Sequence, residues 1–261
     1  MRISLLLHRE RFGEILEATL GPFLTIFSGQ AQTVHWCTKS SVGGREGQQW
    51  QCDPYLNGIF TRDVCPRSLR PVVNEFGRST VWWRRPPQYA YVKLATHPAT
   101  SPWLTPYRMI VSPGLERARE MLILGGNHHL RLLDATRGRA YVIQKSNAPG
   151  KFVENEIALR QRECVQGLPI PALCEIGPDL VWYSEEYVEG TAINRLPCRD
   201  RAHWAFSEAV RFLAMLSSRT TQEQGLEAYV DRLNGEITVS LSQASVLTDP
   251  ERRTMTACVT R

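Results

Sequence analysis

The stretch AYVIQKSNAPGKFVENEIALR, from Ala140 to Arg160, decides how the fold of this chain is interpreted. It begins as an apolar run typical of a buried strand, the run ends on Lys145, and a helical pattern follows soon after. A lysine that closes a buried strand is costly unless a carboxylate pairs with it, because an unpaired charge loses its hydration there. The nearest carboxylates in sequence, Glu154 and Glu156, are the expected partners. The rest of the sequence has to decide between an incidental salt bridge and half of a phosphate-binding site.

The composition is that of an ordinary folded protein. Of 261 residues, 43% are hydrophobic and 22% are charged. The seven cysteines form no Cys-x-x-Cys pair, which favours a reducing compartment over a disulfide framework or a zinc site. The longest apolar patch, Leu20 to Phe27, contains Gly21-Pro22 and is too short to span a membrane. We therefore expect a cytoplasmic protein with no membrane partner.

The positive charge is placed unevenly along the chain. Residues 1–120 carry 15 Lys and Arg against 9 Asp and Glu, whereas the remainder carries 16 against 17. This asymmetry and a proline-rich connector before residue 110 predict two regions with different roles. We expect a basic region of mixed α/β character and unknown role at 1–110, a lobe at 111–190 and a helical region at 191–261.

The basic region has weak signals for individual elements. The spacing of apolar residues predicts a short amphipathic helix over residues 8–20, and the composition from Gly29 to Gly47 predicts loops. Two short β-prone runs flank Pro86-Pro87 and predict a hairpin or two edge strands.

Several arginines and two tryptophans of the basic region could form a surface for nucleic acid. They are Arg62, Arg67, Arg70, Arg78, Arg84, Arg85, Trp82 and Trp83. A solvated face with two packing tryptophans explains the same residues, so nucleic acid is not the expected partner.

After residue 111 the pattern becomes more regular. It predicts three strands, then one helix, then two strands around Gly177-Pro178-Asp179, and finally two helices. The three strands are EMLIL, HLRLLD and RAYVIQK, the first helix is KFVENEIALRQRE, and the last two helices are DRAHWAFSEAVRFLAMLSS and LEAYVDRLNGEITVSLSQA. Strands followed by helices predict an α+β fold with segregated layers.

This order resembles the amino-terminal lobe of a protein-kinase-like fold. It is most similar to the aminoglycoside-phosphotransferase-like (choline-kinase-like) small-molecule kinases. The resemblance is carried by YVIQK with Lys145, by ENEIALR with Asn155-Glu156 and by YSEEYVEGTAINRL from Tyr183 to Leu196, and it covers roughly residues 120–245. It implies an antiparallel sheet plus one helix, followed by the helices of an incomplete second lobe.

The resemblance also implies a nucleotide site. Lys145 would contact the phosphates of ATP, and Glu156 would pair with Lys145 and orient it. Backbone groups of Glu186, Tyr187 and Val188 would face the adenine, and Gly190 would let the chain cross into the second lobe. The pair Gly125-Gly126 would be either a loop over the phosphates or an ordinary turn. ATP and Mg²⁺ are the implied cofactors, and a small-molecule hydroxyl would be the phosphate acceptor.

The catalytic residues of this family are missing from the sequence. The family has a His-Gly-Asp or His-x-Asp loop in its second lobe, with an Asn about five residues later and a further Asp for the metal. The one histidine after Gly190 is His203, and no such set surrounds it. We therefore expect no catalytic residues and no Mg²⁺ ligands, and we interpret the chain as a truncated or inactive phosphotransferase. The alternatives are a regulatory, nucleotide-binding pseudokinase and, third, a basic nucleic-acid-binding protein.

Overall fold

The computed structural model describes residues 3–38, 46–76, 82–190, 193, 196, 198–220, 225–243, 250 and 253. Arg78 and most of the chain after residue 243 therefore lie outside the described residues. Within the described ranges the fold is α+β, as the sequence predicts, because an antiparallel sheet and separate helices make up the chain. No helix in these ranges is long and apolar enough to cross a membrane.

One antiparallel sheet contains the nine strands found among the described residues. Its strand order is β1-β4-β2-β3-β5-β6-β7-β9-β8. The strands are β1 Thr33–Thr38, β2 Gln48–Asp53, β3 Gly58–Thr61, β4 Tyr107–Ser112, β5 Met121–Leu124, β6 His129–Asp134, β7 Arg139–Gln144, β8 Leu173–Ile176 and β9 Trp182–Glu186.

The α-helices lie before, between and after these strands. Those in the described part of the chain are α1 Ile3–Arg9, α2 Phe12–Ser28, α3 Arg70–Phe76, α4 Arg85–Thr96, α5 Ser101–Leu104, α6 Phe152–Arg160, α7 Arg199–Thr220 and α8 Leu226–Gln243.

The predicted elements after residue 111 are confirmed. The three predicted strands are β5, β6 and β7, the helix after them is α6, and the two strands around Gly177 are β8 and β9. These five strands are neighbours in the sheet, where β7 pairs with both β6 and β9. The two predicted carboxyl-terminal helices are α7 and α8.

The prediction of a hairpin around Pro86-Pro87 is wrong, because this segment forms helix α4. Both prolines lie in the first turn of the helix, where a missing N–H removes no helical hydrogen bond. Val92 and Ala95 are buried three residues apart on one face of α4, which is a helical period rather than the alternation of a strand. Residues 79–81, also in the predicted hairpin, lie outside the described residues.

The prediction of loops from Gly29 to Gly47 is wrong in part, because β1 lies within this range. Val34 and Cys37 of β1 are buried, and the strand pairs with β4 from Thr33↔Ser112 to Thr38↔Tyr107. The glycines and polar residues around this short strand are typical of loops, so the sequence does not predict it. The predicted helix over residues 8–20 is also divided differently, since α1 ends at Arg9 and α2 continues through Gly21-Pro22 to Ser28.

Helices cover both faces of the sheet. On one face, α2 buries Leu16, Leu20 and Phe23 in a cluster that includes Ile143 of β7 and Trp182 of β9. On the other face, α3 and α4 pack on the middle strands, and α6 packs on β7 and β9. Each fully buried large apolar side chain stabilises the fold by about 1.5–3 kcal/mol, so α2 is an integral layer of the core.

The sheet continues across the boundary expected near residue 110. β3 pairs with β5 through Gly58↔Leu124 and Ile59↔Ile123, so strands from before and after residue 110 share one sheet. By its contacts the chain divides into two compact units, Met1–Phe212 and Leu213–Arg261. The first unit contains the whole sheet and every residue of the predicted nucleotide site.

Candidate functional site

Lys145, directly after β7, is a buried cation with a carboxylate partner. Its Nζ forms an ion pair with Glu10 and donates a hydrogen bond to the carbonyl oxygen of Asn127 at 3.2 Å. Glu10 lies in the connection between α1 and α2, and its second carboxylate oxygen accepts from Asn147 Nδ2 at 3.2 Å. The side chain of Lys145 is 0% exposed and that of Glu10 is 18% exposed. Lys145 is therefore part of the interior and joins the amino-terminal helices to the sheet.

The predicted ion pair between Lys145 and Glu156, or Glu154, is not formed. Successive side chains of a strand point to opposite faces of the sheet. Ile143 packs in the cluster beneath α2, whereas Val142 packs in the cluster with α6. Lys145 comes two residues after Ile143 and therefore lies on the same face of the sheet. Helix α6 and its glutamates lie on the other face.

Gln144, the last residue of β7, forms hydrogen bonds to the start of α6 and the turn before it. Its Oε1 accepts a hydrogen bond from the backbone N–H of Val153 at 3.3 Å, and its Nε2 donates to the carbonyl oxygen of Gly150 at 3.0 Å. A neutral amide therefore occupies the position from which a lysine could have reached Glu156. A shift of one residue along the strand decides which face receives the cation.

Glu156 belongs to a separate charged cluster around Arg160. The Arg160 guanidinium lies 3.2 Å from Glu156 Oε1 and 2.6 Å from Glu185 Oε2, both measured from Nη2. Its Nη1 donates to the carbonyl oxygen of Pro171 at 3.1 Å, and the guanidinium carbon lies 5.0 Å from the centre of the Tyr183 ring. Burial, and then the hydrogen bond to Glu156, raise the pKa of the Tyr183 hydroxyl well above its ordinary value. Tyr183 therefore stays protonated at neutral pH.

Close packing explains the presence of Gly125 and Gly126. A Cβ atom at Gly125 would lie 2.6 Å from Ile3 Cγ1, and one at Gly126 would lie 2.5 Å from the carbonyl oxygen of His129. The carbonyl oxygen of Gly125 accepts a hydrogen bond from Asn57 Nδ2 at 3.2 Å. Gly125 lets the turn between β5 and β6 pack against α1, and Gly126 lets the turn approach the backbone of His129. Packing therefore accounts for both glycines without a bound phosphate.

The residues expected to face adenine lie at the opposite end of β7 from Lys145. The backbone N–H of Glu186 donates to Ala172, and that of Tyr187 donates to Gly138, each at 2.9 Å. Val188 is exposed. Glu186 pairs with Arg139, the first residue of β7. At about 3.4 Å per residue, Lys145 is about 20 Å farther along the strand.

The structure thus brings together only part of the predicted site. Gly125 and Gly126 lie next to Lys145, because Asn127 of the same turn accepts its hydrogen bond. Glu156 lies on the other face, and Glu186, Tyr187 and Val188 lie at the far end of β7. Sequence reasoning missed Glu10, since nothing in the sequence connects a glutamate between two helices with a lysine 135 residues later. It also missed Arg160, whose signal was its position four residues after Glu156.

A small cleft lies beside Lys145, between α2 and the ends of β7 and β9. Its volume is about 250 Å³, and its lining is largely apolar, with Pro22, Phe23 and Trp182 beside Asp179. Clefts that hold drug-sized ligands measure about 300–1,000 Å³, so this one is too small for a whole nucleotide. Segments after β7 are fixed to α2, since the backbone N–H of Ser146 donates to Thr19 Oγ1 at 3.0 Å.

Among the described residues, no cluster of three or more His, Cys, Asp and Glu side chains could hold a metal ion.

No protein-family model, curated protein sequence or solved structure matches this chain.

Proposed function

We propose that this chain is a non-catalytic relative of the kinase-like small-molecule phosphotransferases, in which the strand-ending lysine stabilises the fold instead of binding phosphate. The order of three antiparallel strands, one helix and two further strands supports the relationship, because it is the order that the sequence resemblance implies. The ion pair between Lys145 and Glu10 is the observation that carries the non-catalytic part of the proposal.

A phosphate would have to compete with this buried pair. Separating a buried ion pair costs about 3–5 kcal/mol, because one charge is left without a partner or hydration. A micromolar nucleotide site has about 8 kcal/mol of binding free energy, and a millimolar one has about 4. The cost of releasing Lys145 from Glu10 would therefore reduce a micromolar site to roughly millimolar affinity.

The residues that the resemblance implies for ATP do not fit a nucleotide in this arrangement. Lys145 forms an ion pair with Glu10, whereas Glu156 forms one with Arg160 on the other face of the sheet. The pair that would orient the phosphates is therefore not assembled. These residues support no phosphoryl-transfer step, which leaves the chain a binding or structural role.

Calorimetric titration with ATP, in the presence and absence of Mg²⁺, together with an assay for ATP turnover, tests this proposal. We expect no turnover with hydroxyl acceptors and a dissociation constant of roughly 1 mM or weaker. The variant Lys145→Met should lower the unfolding temperature without changing nucleotide binding. The control Lys151→Met, which removes an exposed lysine paired with Glu154, should change neither property. Micromolar ATP binding that is lost in a folded Lys145→Met protein would overturn the proposal.

A further inference from the structure

A second surface with a distinct chemistry lies on helix α4 and its neighbours. From Phe76 to Leu115 the sequence has no Asp or Glu. The same forty residues contain five basic residues, which are Arg78, Arg84, Arg85, Lys93 and Arg108. Arg108 is buried, where its guanidinium donates to Thr105 and Pro102, and Arg78 is not among the described residues. Three of the five cations, Arg84, Arg85 and Lys93, are therefore exposed residues of the described surface.

Aromatic rings are exposed among these cations. Four of them are more than half exposed: Trp82 at 77%, Trp83 at 57%, Tyr89 at 54% and Trp103 at 79%. Large aromatic side chains normally contribute more to stability when buried, so four exposed rings in 22 residues form an unusual concentration.

The spacing along α4 orders these groups on one face. Arg85, Tyr89 and Lys93 follow one another at intervals of four residues, so they form a stripe on the helix. With a rise of 1.5 Å per residue, the two cations lie about 12 Å apart along the helix, with the ring between them. The inward face of the same helix contains the buried Val92 and Ala95.

Cations already contact two of the exposed rings. The guanidinium carbon of Arg84 lies 4.9 Å from the centre of the Trp83 ring, and Lys93 Nζ lies 5.4 Å from the centre of the Tyr89 ring. A fourth exposed cation joins the surface at the α4–α5 turn, where Arg62 Nε donates to the carbonyl oxygen of Pro98 at 2.7 Å. Exposed cations and planar rings thus lie together from Trp82 to Lys93, and Arg62 contacts the turn that follows α4.

We propose that this surface, formed by Arg62, Trp82, Trp83, Arg84, Arg85, Tyr89 and Lys93, binds single-stranded nucleic acid. The rings offer planar faces on which unpaired bases stack, and the cations neutralise the phosphates between them. Duplex nucleic acid does not expose base faces along its length, so the rings favour single strands. An anionic membrane fits less well, because the apolar face of α4 is already buried against the protein.

Fluorescence anisotropy with a labelled twelve-nucleotide oligo(dT) and the matching oligo(U), at 50 to 200 mM salt, tests the proposal. With about four phosphate contacts, the logarithm of the association constant should fall with the logarithm of salt concentration with a slope of about −2 to −3. The double variant Arg85→Gln/Lys93→Gln should make this slope less negative by about 1.4. The control Arg11→Gln/Lys151→Gln removes two exposed cations elsewhere and should leave the slope unchanged.

The aromatic part of the surface has its own test. Trp82→Ala/Tyr89→Ala should weaken binding about thirtyfold or more at constant salt, whereas Trp204→Ala, which removes an exposed ring of α7, should have no effect. Thermal unfolding checks that these surface variants remain folded. Absence of binding at 50 mM salt, equal losses in the control variants, or tighter binding to duplex or to phosphatidylserine-containing vesicles would each overturn the proposal.

Discussion

The buried Lys145 and the partly buried Arg160, two cations of the same stretch of sequence, are stabilised in different ways. Lys145 has one carboxylate partner, Glu10, which is 135 residues away and belongs to the layer of α1 and α2. Arg160 has two carboxylates, Glu156 and Glu185, which are 4 and 25 residues away on the other face of the sheet. The alternation of β7 therefore decides which carboxylate Lys145 meets, whereas helical spacing brings Glu156 to Arg160 four residues later.

The two clusters also differ in how they respond to losing one partner. Without Glu10, Lys145 would keep only the carbonyl oxygen of Asn127 and would remain inaccessible to water. Without Glu156, Arg160 would keep Glu185 and the carbonyl oxygen of Pro171. Removal of a single carboxylate should therefore destabilise the protein more on the α2 face than on the α6 face.

The largest effect is expected for Glu10→Gln. The glutamine keeps the shape of the side chain but leaves the buried Lys145 ammonium without a counter-charge, so the free energy of unfolding should fall by about 3–5 kcal/mol. Urea denaturation measures this change. Glu14→Gln is the matched control, because Glu14 is exposed and pairs with Arg11 at 3.6 Å, and it should cost less than about 0.5 kcal/mol. A loss below about 1 kcal/mol for Glu10→Gln would contradict a structural role for the pair.

A smaller effect is expected from Arg160→Met. This change leaves the nearly buried carboxylate of Glu185 without its cation, and the free energy of unfolding should fall by about 2–3 kcal/mol. The variant Glu156→Gln should cost less than about 1 kcal/mol, because Glu185 still pairs with Arg160. Arg211→Met removes a surface arginine that pairs with Glu208 at 2.7 Å, and it serves as the control for urea denaturation. Equal losses for Arg160→Met and Arg211→Met would show that the α6 cluster does not contribute to stability.

The smallest effect concerns pH and His129, which lies on the α6 side of the sheet opposite Gln144 in the pairing of β6 with β7. Burial, followed by the positive charge of Arg131, lowers the pKa of His129 from its ordinary value of 6.5. Below pH 6.5 the unfolded chain therefore takes up a proton before the folded one does, and stability decreases as the pH falls through the lowered pKa. His129→Gln should remove this decrease.

Unfolding free energies of the wild type and of His129→Gln at pH 8 and pH 5 measure this contribution. Between pH 8 and pH 5 the free energy of unfolding should fall more for the wild type than for His129→Gln. His203→Gln, at an exposed position of α7, should show the same pH dependence as the wild type. An unchanged difference between pH 8 and pH 5 for His129→Gln would contradict the direction of the pKa shift.

Local patterns in the sequence were sufficient for part of the fold. The apolar strands β5 to β7, the helix α6 and the turn at Gly177 have signals within a few residues of one another, and each was predicted correctly. The β-prone runs around Pro86-Pro87 predict a hairpin, but prolines are tolerated in the first turn of a helix and this segment forms α4. The short strand β1 depends on its pairing with β4, about seventy residues later, which no local pattern reports.

The candidate site was harder to predict than the fold for the same reason. The cost of burying a charge predicts that Lys145 needs a carboxylate partner, and Lys145 does form an ion pair with a carboxylate. The identity of the partner depended on the face to which Lys145 points and on the placement of α1 and α2 over that face. Closeness in sequence favours Glu156, but the alternation of β7 points Lys145 to the other face. Glu156 pairs with Arg160 of its own helix instead.

The central claim is that Lys145 acts with Glu10 and not with Glu156, and a pair of double-mutant cycles tests it most directly. Urea denaturation of Glu10→Gln, Lys145→Met and the double variant should give a coupling free energy of about 2 kcal/mol or more. The corresponding cycle for Glu156→Gln and Lys145→Met should give a coupling below about 0.5 kcal/mol, because these residues lie on opposite faces of the sheet. Strong coupling of Lys145 with Glu156 and none with Glu10 would contradict this account and restore the phosphate-binding pair.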